Sequence, residues 1–154
     1  MVGAFLRFGA YIGTIRVLPL ARNVAPCDKM IERHDIAPEL LENAWEVGRL
    51  VVDPHYRGGP EFLRRCLFLT ICDMLEHSRL DNLFASCTPV LARLYRRFGF
   101  RVLVKDAAQA GEGSYCLIHG HMPEVLRALA GNEGERELAE EMLIELEEEA
   151  MVLQ

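Results

Sequence analysis

A mixed α/β fold, one central sheet flanked by helices, is the class this 154-residue sequence predicts. Short runs rich in β-branched and aromatic residues alternate with longer runs whose apolar residues recur at helical spacing. The strand-like runs come first as a pair, then singly between helices, then as a pair again. Hairpins and crossover connections therefore share one chain, as in a mixed sheet. Internal repeats are absent, and no composition shift marks a second folded unit. The expected division is a body over residues 1–132 and an acidic helical segment over residues 133–154.

Ala4 to Phe8 and Tyr11 to Leu18 read as a hairpin around Gly9-Ala10. Pro19 to Ala44 reads as a polar connection with one short helix from Pro38 to Asn43. Glu46 to Val52 reads as a strand. Gly59 as N-cap and Pro60 at the first helical position start a helix to Ser78, with Leu63, Leu67, Ile71, Met74 and Leu75 on one face. Leu83 to Cys87 is a strand. Thr88-Pro89 opens a second helix that Gly99 closes. Phe100 to Lys105 and Tyr115 to His119 are strands joined by the loop Asp106 to Ser114. Helices follow over Met122 to Ala130 and Glu133 to Ala150.

Hydrophobic residues make up 51% and charged residues 26%, which fits a globular domain with a sizeable core. No apolar run is long enough for a membrane span, and the N-terminus lacks the charged and small-residue flanks of a signal peptide. A cytoplasmic location is expected. The five cysteines are odd in number and none has C-x-x-C spacing, so they read as reduced core thiols, and no metal site is expected. The formal charge of −6 misleads. The chain has 17 basic and 23 acidic residues, and one arginine and nine glutamates lie beyond Asn132, which leaves the body at +2. Two roles stay open for the acidic helix: a solvated or oligomer-contact helix, the latter implying a homodimer, or a shield over the basic face. Nothing resembles a nucleic-acid-binding tract.

The most informative stretch runs from Trp45 to Leu63. A strand ends at Asp53-Pro54, Gly58 and Gly59 make a turn, and a helix begins. Free backbone N–H groups and the positive end of the helix dipole converge at such a place, which suits a phosphate-bearing ligand.

These motifs in this order resemble the GNAT acyltransferase fold. Val51-Val-Asp-Pro-His-Tyr-Arg-Gly-Gly is similar to the family's fourth strand running into its phosphate loop. Leu91-Ala-Arg-Leu-Tyr-Arg-Arg-Phe-Gly-Phe is similar to its helix ending in Tyr-x-x-x-Gly-Phe. Gly13-Thr-Ile-Arg-Val-Leu-Pro and Trp45-Glu-Val-Gly-Arg-Leu resemble one branch, the acyl-homoserine-lactone synthases and long-chain N-acyl amino acid synthases. The resemblance spans roughly residues 4 to 120. The first strand and helices of that branch have no counterpart, so the N-terminal elements are expected to be missing or replaced.

The resemblance implies an N-acyltransferase. It would move an acyl group from a thioester, on acyl carrier protein or coenzyme A, to the amine of an amino acid or related small molecule. It implies Tyr95 as the acid for the departing thiolate and Glu46 as base or acceptor-binding group. Arg16 and Arg49 would hold an acceptor carboxylate. Arg57, Gly58 and Gly59 would meet phosphate. Strands splayed around Val51 and Ala85 would pair with the pantetheine, and N–H groups near Leu50, Val51 and Val52 would polarise the carbonyl. Each has a plainer alternative: core packing for Tyr95, a structural ion pair with Arg16 or Arg49 for Glu46, an ordinary turn at Gly58-Gly59. Arg64, Arg65, Arg96 and Arg97 read first as a solvated helix face and second as a landing surface for an acidic carrier protein. Pro60, Glu61 and Phe62 depart from the family's phosphate loop. They weaken a pyrophosphate site more than a site for the single phosphodiester of a carrier-bound arm. Rival expectations are an acetyl-CoA-dependent N-acetyltransferase and a non-catalytic GNAT-like binding module.

Overall fold

The computed structural model describes residues 2–7, 10–53, 55, 59–107 and 113–153. Strands β1 (Val2–Arg7) and β2 (Ala10–Pro19) form the expected hairpin, followed by helix α1 (Pro26–Arg33), a 3-10 turn (Pro38–Leu41) and β3 (Ala44–Val52). Then come α2 (Gly59–His77), β4 (Asn82–Cys87), α3 (Pro89–Arg96), β5 (Arg101–Val104), β6 (Cys116–His121), α4 (Met122–Leu129) and α5 (Glu133–Val152). The six strands make one sheet in the order β1-β2-β3-β4-β6-β5. Only β3 and β4 run parallel; the other neighbours are antiparallel.

The sheet is covered unequally. The main core joins Ile15, Val17, Val47, Leu83 and Ile118 to Leu67, Phe68 and Ile71 of α2, Val125 and Leu126 of α4, and Ala139 and Leu143 of α5. A smaller core on the other face holds Leu20, Cys27, Ala44, Phe84 and Leu117 beneath α1. Helix α1 is a correction to the expected polar connection. It is only eight residues long, and its apolar contacts come from Cys27, Met30 and Ile31, too few to stand out in a polar stretch. Pro26 takes the first helical turn, and the buried Asp28 carboxylate accepts the N–H groups of Ala21 (2.8 Å) and Ala25 (3.3 Å).

Helix α3 has the expected cap, the Thr88 hydroxyl accepting from the Leu91 N–H. It ends at Arg96, and Gly99, with a φ of +88°, carries the chain on into β5. Helix α5 is capped by the Asn132 side chain, which accepts from the Glu135 N–H at 2.8 Å. Among the described residues no helix is long and apolar enough to cross a membrane.

His119 of β6 is fully buried beside Phe84, with Nε2 2.8 Å from Asn82 Oδ1. Burial, His121 and Arg101 together pull its pKa down to about 4. Its ring therefore stays neutral in the fold while an unfolded histidine titrates near 6.5. That contribution to stability is complete above about pH 6.5 and is lost as pH falls toward 4. Imidazole NMR titration should give His119 a midpoint near 4; an ordinary midpoint would contradict this packing.

Candidate active site

The parallel pair β3/β4 positions the site because it stops early. Ala44, Trp45 and Glu46 pair with Asn82, Leu83 and Phe84, and no later residue of the two strands pairs. Beyond that point β3 stays with β2 as far as Val52, and β4 stays with β6 as far as Cys87. The two strands part after Glu46 and Phe84, leaving the facing backbone edges of their later residues without ladder pairing to each other. Leu50, Val51 and Val52 lie on the β3 side of the gap, and buried Ala85 on the β4 side.

A cleft of about 350 Å³ opens beside the splay, lined by Arg16, Pro26, Met30, Glu46, Gly48, Arg49, Ser86 and Tyr115. The fold thus brings together three predicted residues from two strands: Arg16, Glu46 and Arg49. Simple strand alternation puts Arg49 on the face opposite Glu46. The structure corrects this. Thr14 pairs with Val51 and Arg16 with Gly48, so Ile15 faces two residues, Arg49 and Leu50. Arg49 has a φ of +48° in this bulge, which turns it back toward the Glu46 side.

Glu46 is 4% exposed. Its Oε2 accepts the Cys27 N–H at 2.9 Å, and its Oε1 lies 3.9 Å from Arg16 Nη2. Burial raises the carboxyl pKa, opposed by the Cys27 N–H and the Arg16 charge. Gly48 leaves the carboxylate its space, since a Cβ there would sit 3.3 Å from Oε1. The Cys27 thiol lies next to Glu46 and Ser86, and burial pushes its pKa up, so it stays a neutral thiol. Cys27, read from sequence as core filler, is thus the residue whose backbone holds Glu46. Its signal was hidden in the unrecognised α1. Two guanidinium groups face one carboxylate in this cleft, and among the described residues Arg49 makes no ion pair. A guanidinium without an ion-pair partner suits a bound carboxylate. Arg16→Ala should weaken binding of a small carboxylate ligand in this cleft by about tenfold or more, the loss of one charged contact, and unchanged binding by calorimetry would contradict the assignment.

Tyr95 stands apart from these residues, among Phe98 and Phe100, with edge-on ring contacts at 6.2 and 5.4 Å. Burial, with Cys87 nearby, raises its pKa to about 12, so it is a protonated phenol at neutral pH. Gly59 begins α2 with a φ of +59°, a conformation that favours glycine. Arg57 and Gly58 lie outside the described residues. Of the basic residues proposed to face a carrier protein, Arg64 is corrected: its guanidinium is buried against Glu61, Glu135 and the Leu129 carbonyl. Arg65, Arg96 and Arg97 remain exposed. One group of acidic and histidine ligand atoms lies close together among the described residues, Asp73, Glu76 and His77, all exposed on α2.

A splayed parallel pair inside a mixed sheet, with a glycine-started helix after the first strand, defines the GNAT acyltransferase fold, and solved structures agree. Residues 1–115 match the sequence model of the family described as N-acyl amino acid synthase FeeM, and the chain belongs to that family of acyltransferases. FeeM itself, an N-acyl amino acid synthase from uncultured soil microbes, is 19% identical, with 80% of this chain and 73% of that chain covered and a TM-score of 0.64. The acyl-homoserine-lactone synthase LasI is 15% identical, covering 85% of this chain and 69% of its own, with a TM-score of 0.61. BjaI, a CoA-dependent acyl-homoserine lactone synthase solved with SAM and isopentyl-CoA, is 13% identical, with 91% and 62% covered and a TM-score of 0.58. At these identities the likeness is one of fold. The chain spans about two thirds of the length of the first solved structures it matches. No curated protein sequence matches.

Proposed function

We propose that this protein transfers an acyl group from a thioester to the amine of a small acceptor that carries a carboxylate, an amino acid or a close relative. The observation that carries the reading is the buried, amide-held Glu46 carboxylate at the mouth of the β3/β4 splay, flanked by Arg16 and Arg49. A raised carboxyl pKa makes Glu46 a stronger base than an exposed glutamate. The pantetheine arm of acyl carrier protein or of acyl-CoA lies along the unpaired strand edges. The acceptor carboxylate sits on Arg16 and Arg49, which brings its amine to Glu46. The nitrogen attacks the thioester carbonyl, and a C–N bond forms. Backbone N–H groups of Leu50 to Val52 stabilise the oxyanion. As the C–S bond breaks, the amine's proton passes to Glu46 and the thiolate takes a proton from Tyr95. Residues 1–132 form the catalytic body with α5 attached to it. Arg65, Arg96 and Arg97 offer an acidic carrier protein a basic surface, and a homodimer through α5 is compatible with its exposed Ile144 and Met151.

One observation favours an acetyl-CoA-dependent N-acetyltransferase as second reading. The Glu61 charge that weighs against pyrophosphate is paired with Arg64. Thermal shift separates the readings, because a ligand of the native state raises Tm. Stabilisation by long-chain acyl carrier protein supports the synthase. Stabilisation by acetyl-CoA alone supports the second reading. No response to any acyl thioester overturns both and leaves a binding module.

A further inference from the structure

Helix α5 holds nine glutamates and one arginine, and its outer face is not purely polar. Glu141, Ile144, Glu145, Glu148, Met151 and Val152 recur there at the three- and four-residue spacing of one helix face. All six are exposed, Ile144 at 53% and Met151 at 73%, on the side opposite buried Ala139 and Leu143. Met151, Val152 and Leu153 make a run of three exposed apolar residues, which a solvated helix has no use for. A groove of about 470 Å³ lies among Glu145, Glu148, Glu149, Val152 and Leu153.

Helix α3 presents the opposite charge in the same pattern. Val90, Arg93 and Arg97 share one exposed face, with Val90 73% exposed and Leu91 beside it 44% exposed. Among the described residues none of Arg93, Arg97, Glu141, Glu145 and Glu148 makes an ion pair. Each surface thus joins a small apolar patch to unpaired charge, and the two signs are complementary. Two α5 helices laid face to face would set glutamate against glutamate, which repels. An α5 laid on an α3 sets glutamate against arginine, and Ile144 and Met151 against Val90 and Leu91. Both helices cover the same face of the sheet, since Ala92 and Leu143 belong to the main core. A twofold axis can therefore join the α5 of each copy to the α3 of the other. The contact is then made twice, toward the roughly 1,200–2,000 Å² that stable interfaces bury.

We propose that the outer face of α5 docks on the Val90, Arg93 and Arg97 face of α3 in a second copy of this chain, reciprocally, as a twofold dimer. This names the surface that α5 meets, and it stands whether or not the chain transfers acyl groups. The dimer covers Arg97, which leaves Arg65 and Arg96 to a carrier protein.

The test is sedimentation of the full chain over a range of concentration and salt. The unmodified chain should form a dimer that weakens as salt is raised, because the pairing charges are exposed before they meet. Arg93→Glu with Arg97→Glu should raise the dimer Kd by at least about tenfold, and so should Glu145→Arg with Glu148→Arg. The two variants mixed in equal amounts should associate again, since each offers the charge that the other now needs. Every substituted side chain is exposed, and circular dichroism checks that the variants keep the fold. A monomer at every concentration would overturn the inference. So would a dimer indifferent to Arg93→Glu with Arg97→Glu, which would put the contact elsewhere on the chain. A monomer that associates only with acyl carrier protein, and loses this with the α3 variant, would overturn it by giving the arginines to that partner. Acyl transfer is read separately, from N-acyl product, so failure of the dimer leaves that reading standing.

Discussion

Glu46→Gln should lower kcat/KM for acyl transfer by at least about a hundredfold, the usual scale for loss of a positioned general base. Glutamine keeps the carbonyl oxygen that accepts the Cys27 N–H, so the fold of the cleft should survive. What it cannot do is take the amine's proton. The pH dependence separates this from a structural effect. Burial raises the Glu46 pKa above 4.5, so the acid limb of kcat/KM should fall at a pH above that of an ordinary glutamate, and the variant should lack that limb. The same shift has a stability sign. A carboxyl whose pKa is raised in the fold binds its proton more tightly there than in the unfolded chain. Its contribution is complete below about pH 4.5 and is lost as pH rises through the folded-state value. The glutamine variant should therefore be less pH-dependent in stability over that window. Retention of full activity with an unchanged acid limb would reduce Glu46 to a structural partner of Arg16.

Gly99→Ala should give the larger loss of stability, roughly 2–4 kcal/mol, from adding a left-handed backbone penalty to an overpacking penalty. Gly99 has a φ of +88°. A Cβ there would lie 3.1 Å from the Glu124 carbonyl oxygen and from Cα and N of Val125, all backbone atoms of α4 that no side-chain rotation can move. The turn matters to the site because the Tyr95 carbonyl accepts N–H groups from Phe98 (2.9 Å) and Phe100 (3.2 Å) across it. Tm should fall by roughly 5–15 °C for a chain of this size. Gly99→Asn tells the two causes apart. Asparagine tolerates positive φ but still carries a Cβ, so it should destabilise nearly as much. Full recovery with asparagine would mean that strain alone acts there, and an unchanged Tm for both would contradict the packing.

Much of the fold was legible because its signals are local. Thr88-Pro89 and Gly99 delimit α3, and Gly59-Pro60 marks the start of α2, through capping chemistry that needs no tertiary context. The end strands alternate clearly enough to be recognised as pairs. Helix α1 was not legible, because its stability comes from Cys27 and Met30 packing under a sheet that the local pattern does not reveal. The site was half legible. Arg16, Glu46 and Arg49 were named through the resemblance of their motifs to the synthase branch, but their meeting in one cleft depends on a bulge at Arg49, which reverses the side-chain parity of β3. Alternation rules assume an unbroken register and cannot foresee it. Arg64 illustrates the opposite limit. In sequence it is one of several surface arginines, and only the return of α4 and α5 over the start of α2 buries it between Glu61 and Glu135.

The most direct test of the central claim is to follow free-thiol release and N-acyl product together, by mass spectrometry. Acyl carrier protein or coenzyme A carries the acyl group, and free amino acids or their carboxyl-blocked amides serve as acceptors. The account predicts one thiol released per N-acyl product, formation only with acceptors that keep a free carboxylate, and loss of both signals in Glu46→Gln. Thiol release without N-acylated product, or equal transfer to acceptors with the carboxylate blocked, would contradict it.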